Sequence, residues 1–216
     1  MSIAFTDFES NIMRLLIVAL RFQGIHHEFP NQMKDSQDAL LVRGILREYA
    51  IIQLHNFLII RNDLLNEPNF KKLDDVIKPL IQPILDNQEG IKQMRHNYVA
   101  HIQERGGKFR TMMNDIVQEH NLPTTWAAWS YFTGLAWFYY GIVDHNFKAE
   151  TDKAEEKYDA KVGNAMSVSI GFEMEDVNKK IQDLYWPIAL ELDKQGLKST
   201  FEDKDLEKIK KILSKK

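Results

Sequence analysis

The eighteen residues WAAWSYFTGLAWFYYGIV, positions 126 to 143, carry no charge. A helix apolar on every side has two homes, the centre of a helical bundle or oligomer and the interior of a bilayer. Composition separates them. Aromatic residues, Gly, Ser and Thr fill the stretch where a lipid-facing helix would be mostly Leu, Ile and Val. Its flanks also lack the Lys/Arg bias that sets orientation in a membrane. The segment is therefore read as the buried axis of an all-α protein, with no membrane association.

Around that axis the apolar periodicity is helical and alternating strand patterns are nearly absent. Residues 5 to 23 place Phe5, Phe8, Ile12, Leu15, Leu16, Ala19 and Phe22 on one stripe, and Gly24 and Pro30 mark its stop. A second helix is expected from Ser36 to about Asn66, its apolar pattern running through Leu40, Ile45, Tyr49, Ile52, Leu54, Leu58 and Leu65, with Pro68 closing it. Pro79 and Pro83 predict a kinked or broken element over 71 to 86. Gly90 is expected to separate it from a helix ended by Gly106-Gly107. Further helices are expected over 109 to 119, over Thr124 to about Asp144, and over about Glu173 to Leu192. Short, punctuated links between such helices predict an antiparallel bundle over residues 1–147. Residues 148–216 read as a charged helical extension packed on it, with a loop at Gly163 to Gly171 and a Lys-rich amphipathic tail from Phe201.

The chain has 216 residues, enough to bury a real core, and a formal net charge of −3. It has no Cys, which excludes disulfides, thiolate metal sites and cysteine nucleophiles and fits a reducing cytoplasm. The first residues, MSIAFTDFES, lack the basic region of a secretory signal, and the expected location is cytoplasmic.

Against this acidic background, QMRHNYVAHIQERGGKF (93–109) and its edges gather Lys92, Arg95, Arg105, Lys108 and Arg110 against one acid, Glu104. An anionic partner suits such a patch. On a helical wheel Ile91, Met94, Tyr98 and Ile102 form the apolar stripe, with Arg95 on one edge, His101 on the other, and His96 facing away. Arg95 and His101 are also separated by roughly 9 Å of helical rise. They converge if two copies of the helix pack about a two-fold axis, so the spacing predicts a dimeric or at least composite site, with a homodimer as the expected assembly. Asn97, four residues before His101, sits where its amide reaches an imidazole nitrogen.

A histidine titrates near neutrality and serves as general acid or base, while an arginine holds a phosphate through two hydrogen bonds and neutralises charge growing on it. Together they suit cleavage of RNA by its own 2′-hydroxyl, without a metal.

The run R-H-N-Y-V-A-H, residues 95–101, resembles the signature of the HEPN superfamily: an Arg, a polar neighbour, and a His a few residues on. The match falls on Arg95, His96 and His101. A second Arg with histidines at permitted distances, Arg21 with His26 and His27 in RFQGIHH, lacks the polar neighbour and the local basic charge. The resemblance implies a small helical bundle, commonly dimeric, and a metal-independent endoribonuclease of the toxin–antitoxin or abortive-infection type. On that reading His101 is the general acid/base, Arg95 binds the scissile phosphate, and Asn97 or His96 orients or assists. A protein antitoxin is the implied partner.

Arg105, Lys108 and Arg110 are the candidate contacts to RNA phosphates. No cofactor or metal is expected: the cluster His26, His27, Glu28 lies on adjacent residues that rarely converge, and no Glu-x-x-His, P-loop, G-x-G-x-x-G or G-x-S-x-G is present. The alternative is a non-catalytic, HEPN-like helical interaction or regulatory module whose aromatic helix buries itself against a partner or a second copy.

Overall fold

A computed structural model of the chain describes residues 4–27, 37–96, 113–162 and 175–199. Among the described residues the secondary structure is helical throughout, with no strand. The helices are α1 (Asp7–His27), α2 (Gln37–Leu64), α3 (Pro68–Ile77), α4 (Gln82–Asp86), α5 (Gln88–Met94), α6 (Met113–Glu119), α7 (Trp126–Asn146), α8 (Lys148–Val162) and α9 (Glu175–Lys194).

The uncharged stretch forms α7, which packs against α1, α2, α8 and α9. Thr125 caps it by accepting from the Ala128 amide. Trp129, Phe132, Leu135, Tyr139, Ile142 and Val143 are all buried along it. Its aromatic groups meet rings from the other helices: Tyr139 stands edge-on to Phe57 at 5.3 Å, and Phe57 to Phe22 at 6.2 Å. Full burial of each such side chain contributes about 1.5–3 kcal/mol. Among the described residues no helix is long and apolar enough to cross a membrane.

Gly134 explains how α7 lies so close to its neighbours. A Cβ there would stand 2.6 Å from both His26 Nε2 and Ile181 Cδ1, so a larger residue would have to push those two side chains aside.

The proline expectation is met: α3 ends at Ile77, a 3₁₀ turn spans Lys78–Ile81, and α4 begins at Gln82. Two glycine expectations are not. Helix α1 runs through Gly24 to His27. Gly90 lies inside α5, not between helices, because a Cβ there would stand 2.7 Å from His120 Cβ and Leu122 Cδ2. It is the point where α5 meets the turn after α6.

In α2 the apolar pattern proved wider than its buried face. Leu46, Ala50, Leu54, Phe57 and Leu64 enter the core, whereas Ile45 and Tyr49 stay exposed and form an outer stripe with Leu41 and Ile59. Leu41 is 67% exposed and Ile45 57%.

Two polar constructions tie the helices together. The sequence T-D-F-E at 6–9 is a capping box: the Thr6 amide donates to Glu9 Oε2 at 2.8 Å and the Glu9 amide to Thr6 Oγ1 at 3.1 Å. The Glu9 carboxylate also takes Lys153 at 2.8 Å and Lys157 at 2.5 Å, joining α1 to α8. Those two ammonium groups, then the Thr6 amide, hold its carboxyl at about 2. Deeper in, Arg61 of α2 donates to both oxygens of Asp74 of α3, at 2.7 and 2.5 Å, and the Tyr139 hydroxyl of α7 donates to Asp74 Oδ1 at 2.5 Å. Burial, then Asp74, pushes the Tyr139 hydroxyl well above the usual phenol range, so it remains a donor.

Candidate functional site

Helix α5 carries Gln93 and Met94, the first residues of the basic stretch 93–109, and is fastened on several sides. Ile91 and Met94 are buried, Gly90 meets His120 and Leu122, and α2 lies alongside. Glu89 accepts from Lys92 at 3.4 Å and from Gln93 at 2.9 Å along the outer surface. Past Met94 the backbone widens into a π-helical turn at Arg95 and His96. Such turns occur mostly singly and often at functional positions.

Arg95 and His96 are half-buried and touch each other, with Arg95 Nη1 3.3 Å from His96 Nδ1. A guanidinium donates only, so in this contact Nδ1 is the acceptor and the neutral ring carries its proton on Nε2. Among the described residues no carboxylate pairs with Arg95.

The wheel turned His96 away from the apolar stripe. Instead its ring packs perpendicular to that of His55 on α2, with centroids 5.2 Å apart and planes at 90°. Two causes act together. The π-helical turn changes the angular step after Met94, and α5 is covered along its flanks by α2 and α6 as well as beneath its stripe.

His55 was not a candidate from sequence. It is 8% exposed, and its Nδ1 is buried with no hydrogen-bond partner. Burial first, and then the charges of Arg95, His96 and Lys92, lowers the His55 pKa below its ordinary value of 6.5, so the ring is neutral at physiological pH. A histidine interrupting the buried edge of a long apolar helix was the available signal. That it meets His96, far along the chain, was not readable from spacing.

The other predicted residues fall elsewhere. Asn97, His101, Arg105, Lys108 and Arg110 lie outside the described residues. The second motif copy separates: Arg21 donates to Gln53 Oε1 at 2.9 Å, while His26 packs on Trp137 and Gly134. Among the described residues no group of three or more His, Cys, Asp or Glu gathers as metal ligands would.

The arrangement is thus a cationic patch with an imidazole at its surface and a second, neutral imidazole beneath. It can attract an anion, neutralise it, and hold or pass a proton within one ring's width. Comparison with known proteins adds no relative: no family model matches the chain, and no curated protein or solved structure shows significant similarity to it.

Proposed function

We propose that the protein is a metal-independent endoribonuclease of the HEPN type, acting as a homodimer in a toxin–antitoxin or phage-defence role in the cytoplasm. The observation that supports it best is the contact of Arg95 with His96, at a half-buried patch where no described carboxylate competes for the guanidinium. A phosphodiester supplies the missing anion. Arg95 binds the scissile phosphate, His101 takes the proton of the 2′-hydroxyl, the 2′-oxygen bonds to phosphorus, and the bond to the 5′-oxygen breaks. His101 returns the proton to that leaving oxygen. The products are a 2′,3′-cyclic phosphate and a 5′-hydroxyl. His96 and Asn97 orient the reacting groups, and Arg105, Lys108 and Arg110 hold flanking phosphates.

The stripe of Leu41, Ile45, Tyr49 and Ile59 on α2 supports a second copy, since α2 is the helix on which α5 rests. The same stripe favours the second reading, a non-catalytic interaction module, if a different protein covers it.

The test is cleavage of total RNA by purified wild type, Arg95→Ala and His101→Ala in EDTA, with analysis of the RNA ends. Cleavage is expected from wild type, leaving cyclic phosphate, with losses of roughly 10²-fold or more in each variant. Intact RNA with folded wild type would overturn the ribonuclease reading in favour of the module.

A further inference from the structure

The cluster on α2 and α5 contains one group that the proposed chemistry does not use. His55 lies nine-tenths buried, its ring edge-on to His96, its Nδ1 without a partner. An orphaned buried nitrogen costs about 1–3 kcal/mol. An apolar side chain of similar size would avoid that cost and preserve the ring contact.

The charges around it are one-sided. Among the described residues, Lys92 of α5 and Arg95 and His96 in the turn just past it are the groups that bear on His55, and each is cationic or becomes so on protonation. Among the described residues Lys92 pairs with Glu89, at 3.4 Å, on the exposed side. With the patch empty, a proton on His55 would add a buried positive charge beside Arg95, at a position already poor in water. An anion resting on Arg95 removes that opposition, because its charge offsets the guanidinium and attracts a proton to the ring below.

We infer that His55 belongs to the anion site of Arg95 and His96 and takes up a proton when a phosphodiester is bound there. His55 is then a positioning residue: its new charge holds the phosphate from beneath, and its proton arrives only with the ligand. Binding of phosphodiesters and protonation of His55 are two faces of one coupling, so each strengthens the other by the same factor. The inference deepens the ribonuclease reading and shares its ligand class, but it concerns binding and does not require cleavage.

The experiment uses a thymidine hexamer, which has no 2′-hydroxyl to react and no group titrating between pH 5 and 8. The imidazole resonances of the full-length protein are followed by pH titration with and without saturating hexamer, and affinity is measured at pH 5.5 and 7.5. The titration midpoint of His55 is expected to rise by about one pH unit on binding, with binding roughly three- to sixfold tighter at the lower pH, since the full factor of about ten is reached only well below both midpoints. In His55→Phe, which keeps a ring against His96, the hexamer is expected to bind with most of that pH dependence removed, while Arg95→Ala loses binding at both pH values. A His55 midpoint unmoved by saturating hexamer, or unaltered pH dependence in folded His55→Phe, overturns the inference, as does failure of the wild type to bind. If the hexamer moves His55 but RNA survives intact, the ribonuclease reading fails and the coupled anion site stands. If RNA is cleaved with His55 unmoved, the reverse holds.

Discussion

Helix α2 presents two charged groupings to its neighbours, and they are built on opposite rules. At Arg61 the guanidinium meets Asp74 through two hydrogen bonds, and Tyr139 gives the same carboxylate a third. Every charge there has a counter-charge at hydrogen-bonding distance, in the driest part of the fold. Six residues earlier, His55 faces Lys92, Arg95 and His96, where the one described carboxylate is Glu89, on the exposed side of Lys92, and where the His55 Nδ1 has no partner. A buried network that serves the fold is closed upon itself, because an unpaired buried charge costs several kcal/mol. A grouping left open in charge, half in contact with solvent, is what an anionic ligand can complete.

The largest test of this contrast is Asp74→Ala. It leaves the Arg61 guanidinium buried and unpaired and is expected to cost about 3–5 kcal/mol, read by denaturant unfolding. Arg95→Ala, by comparison, is expected to change stability by less than about 1 kcal/mol, since a half-exposed charge without an acidic partner loses little. Equal losses in the two variants would erase the distinction.

Next in size is Gly90→Ala. The added methyl meets His120 and Leu122 and is expected to cost about 1–3 kcal/mol by overpacking. Because it displaces the helix that carries Arg95 and His96, it should also lower RNA cleavage in protein that remains folded, which a stability-matched substitution on α9 should not do.

Glu9 offers an intermediate case, a buried carboxylate closed by two lysines that reach in from solvent. Its pKa is lowered from 4.5 to about 2 by Lys153, then Lys157, then the Thr6 amide. The stabilisation is therefore fully present above about pH 4.5 and is lost as the pH falls toward 2. Glu9→Gln is expected to cost about 1 kcal/mol at pH 7, since Lys153 is mostly exposed and screened by solvent, and the difference from wild type should vanish near pH 2. Thermal unfolding of both proteins across that range is the measurement.

The smallest effect is that of His55→Phe on stability, expected within about 1 kcal/mol of wild type because relief of the orphan nitrogen offsets imperfect fit. Its pH signature is sharper. Folding holds His55 below its ordinary 6.5, so the unfolded chain binds the extra proton first. Wild-type stability is thus complete above about pH 6.5 and declines as the pH falls below it, a decline that His55→Phe should lessen.

Sequence reading was most reliable where a feature acts on its own neighbours. The uncharged run from Trp126 to Val143 did become a helix that enters the core, and Pro79 and Pro83 did break the chain where their missing amides require. It was least reliable where a residue's role depends on what docks against it. Gly24 and Gly90 read as breaks because glycine weakens helices, yet one is accommodated in a long helix and the other is needed for a close approach. Ile45 and Tyr49 belong to the apolar pattern of the second helix yet stay exposed, because periodicity marks apolar residues without saying which face is covered. The candidate site divides the same way. Arg95 and His96 were legible as a polar, basic motif, but His55 was hidden by its distance along the chain.

What the sequence alone determined is therefore the all-helical class, the core position of α7, the proline break, the absence of thiol chemistry, and the basic character of the stretch 93–109. These follow from interactions within a turn or two of helix, whose geometry is the same in any fold. The tertiary structure decided that Asp74 closes the charge of Arg61, that Glu9 binds α8, and that His55 lies under Arg95 and His96. Each of those depends on which helices touch and at what rotation, and that is set by the packing of the whole core.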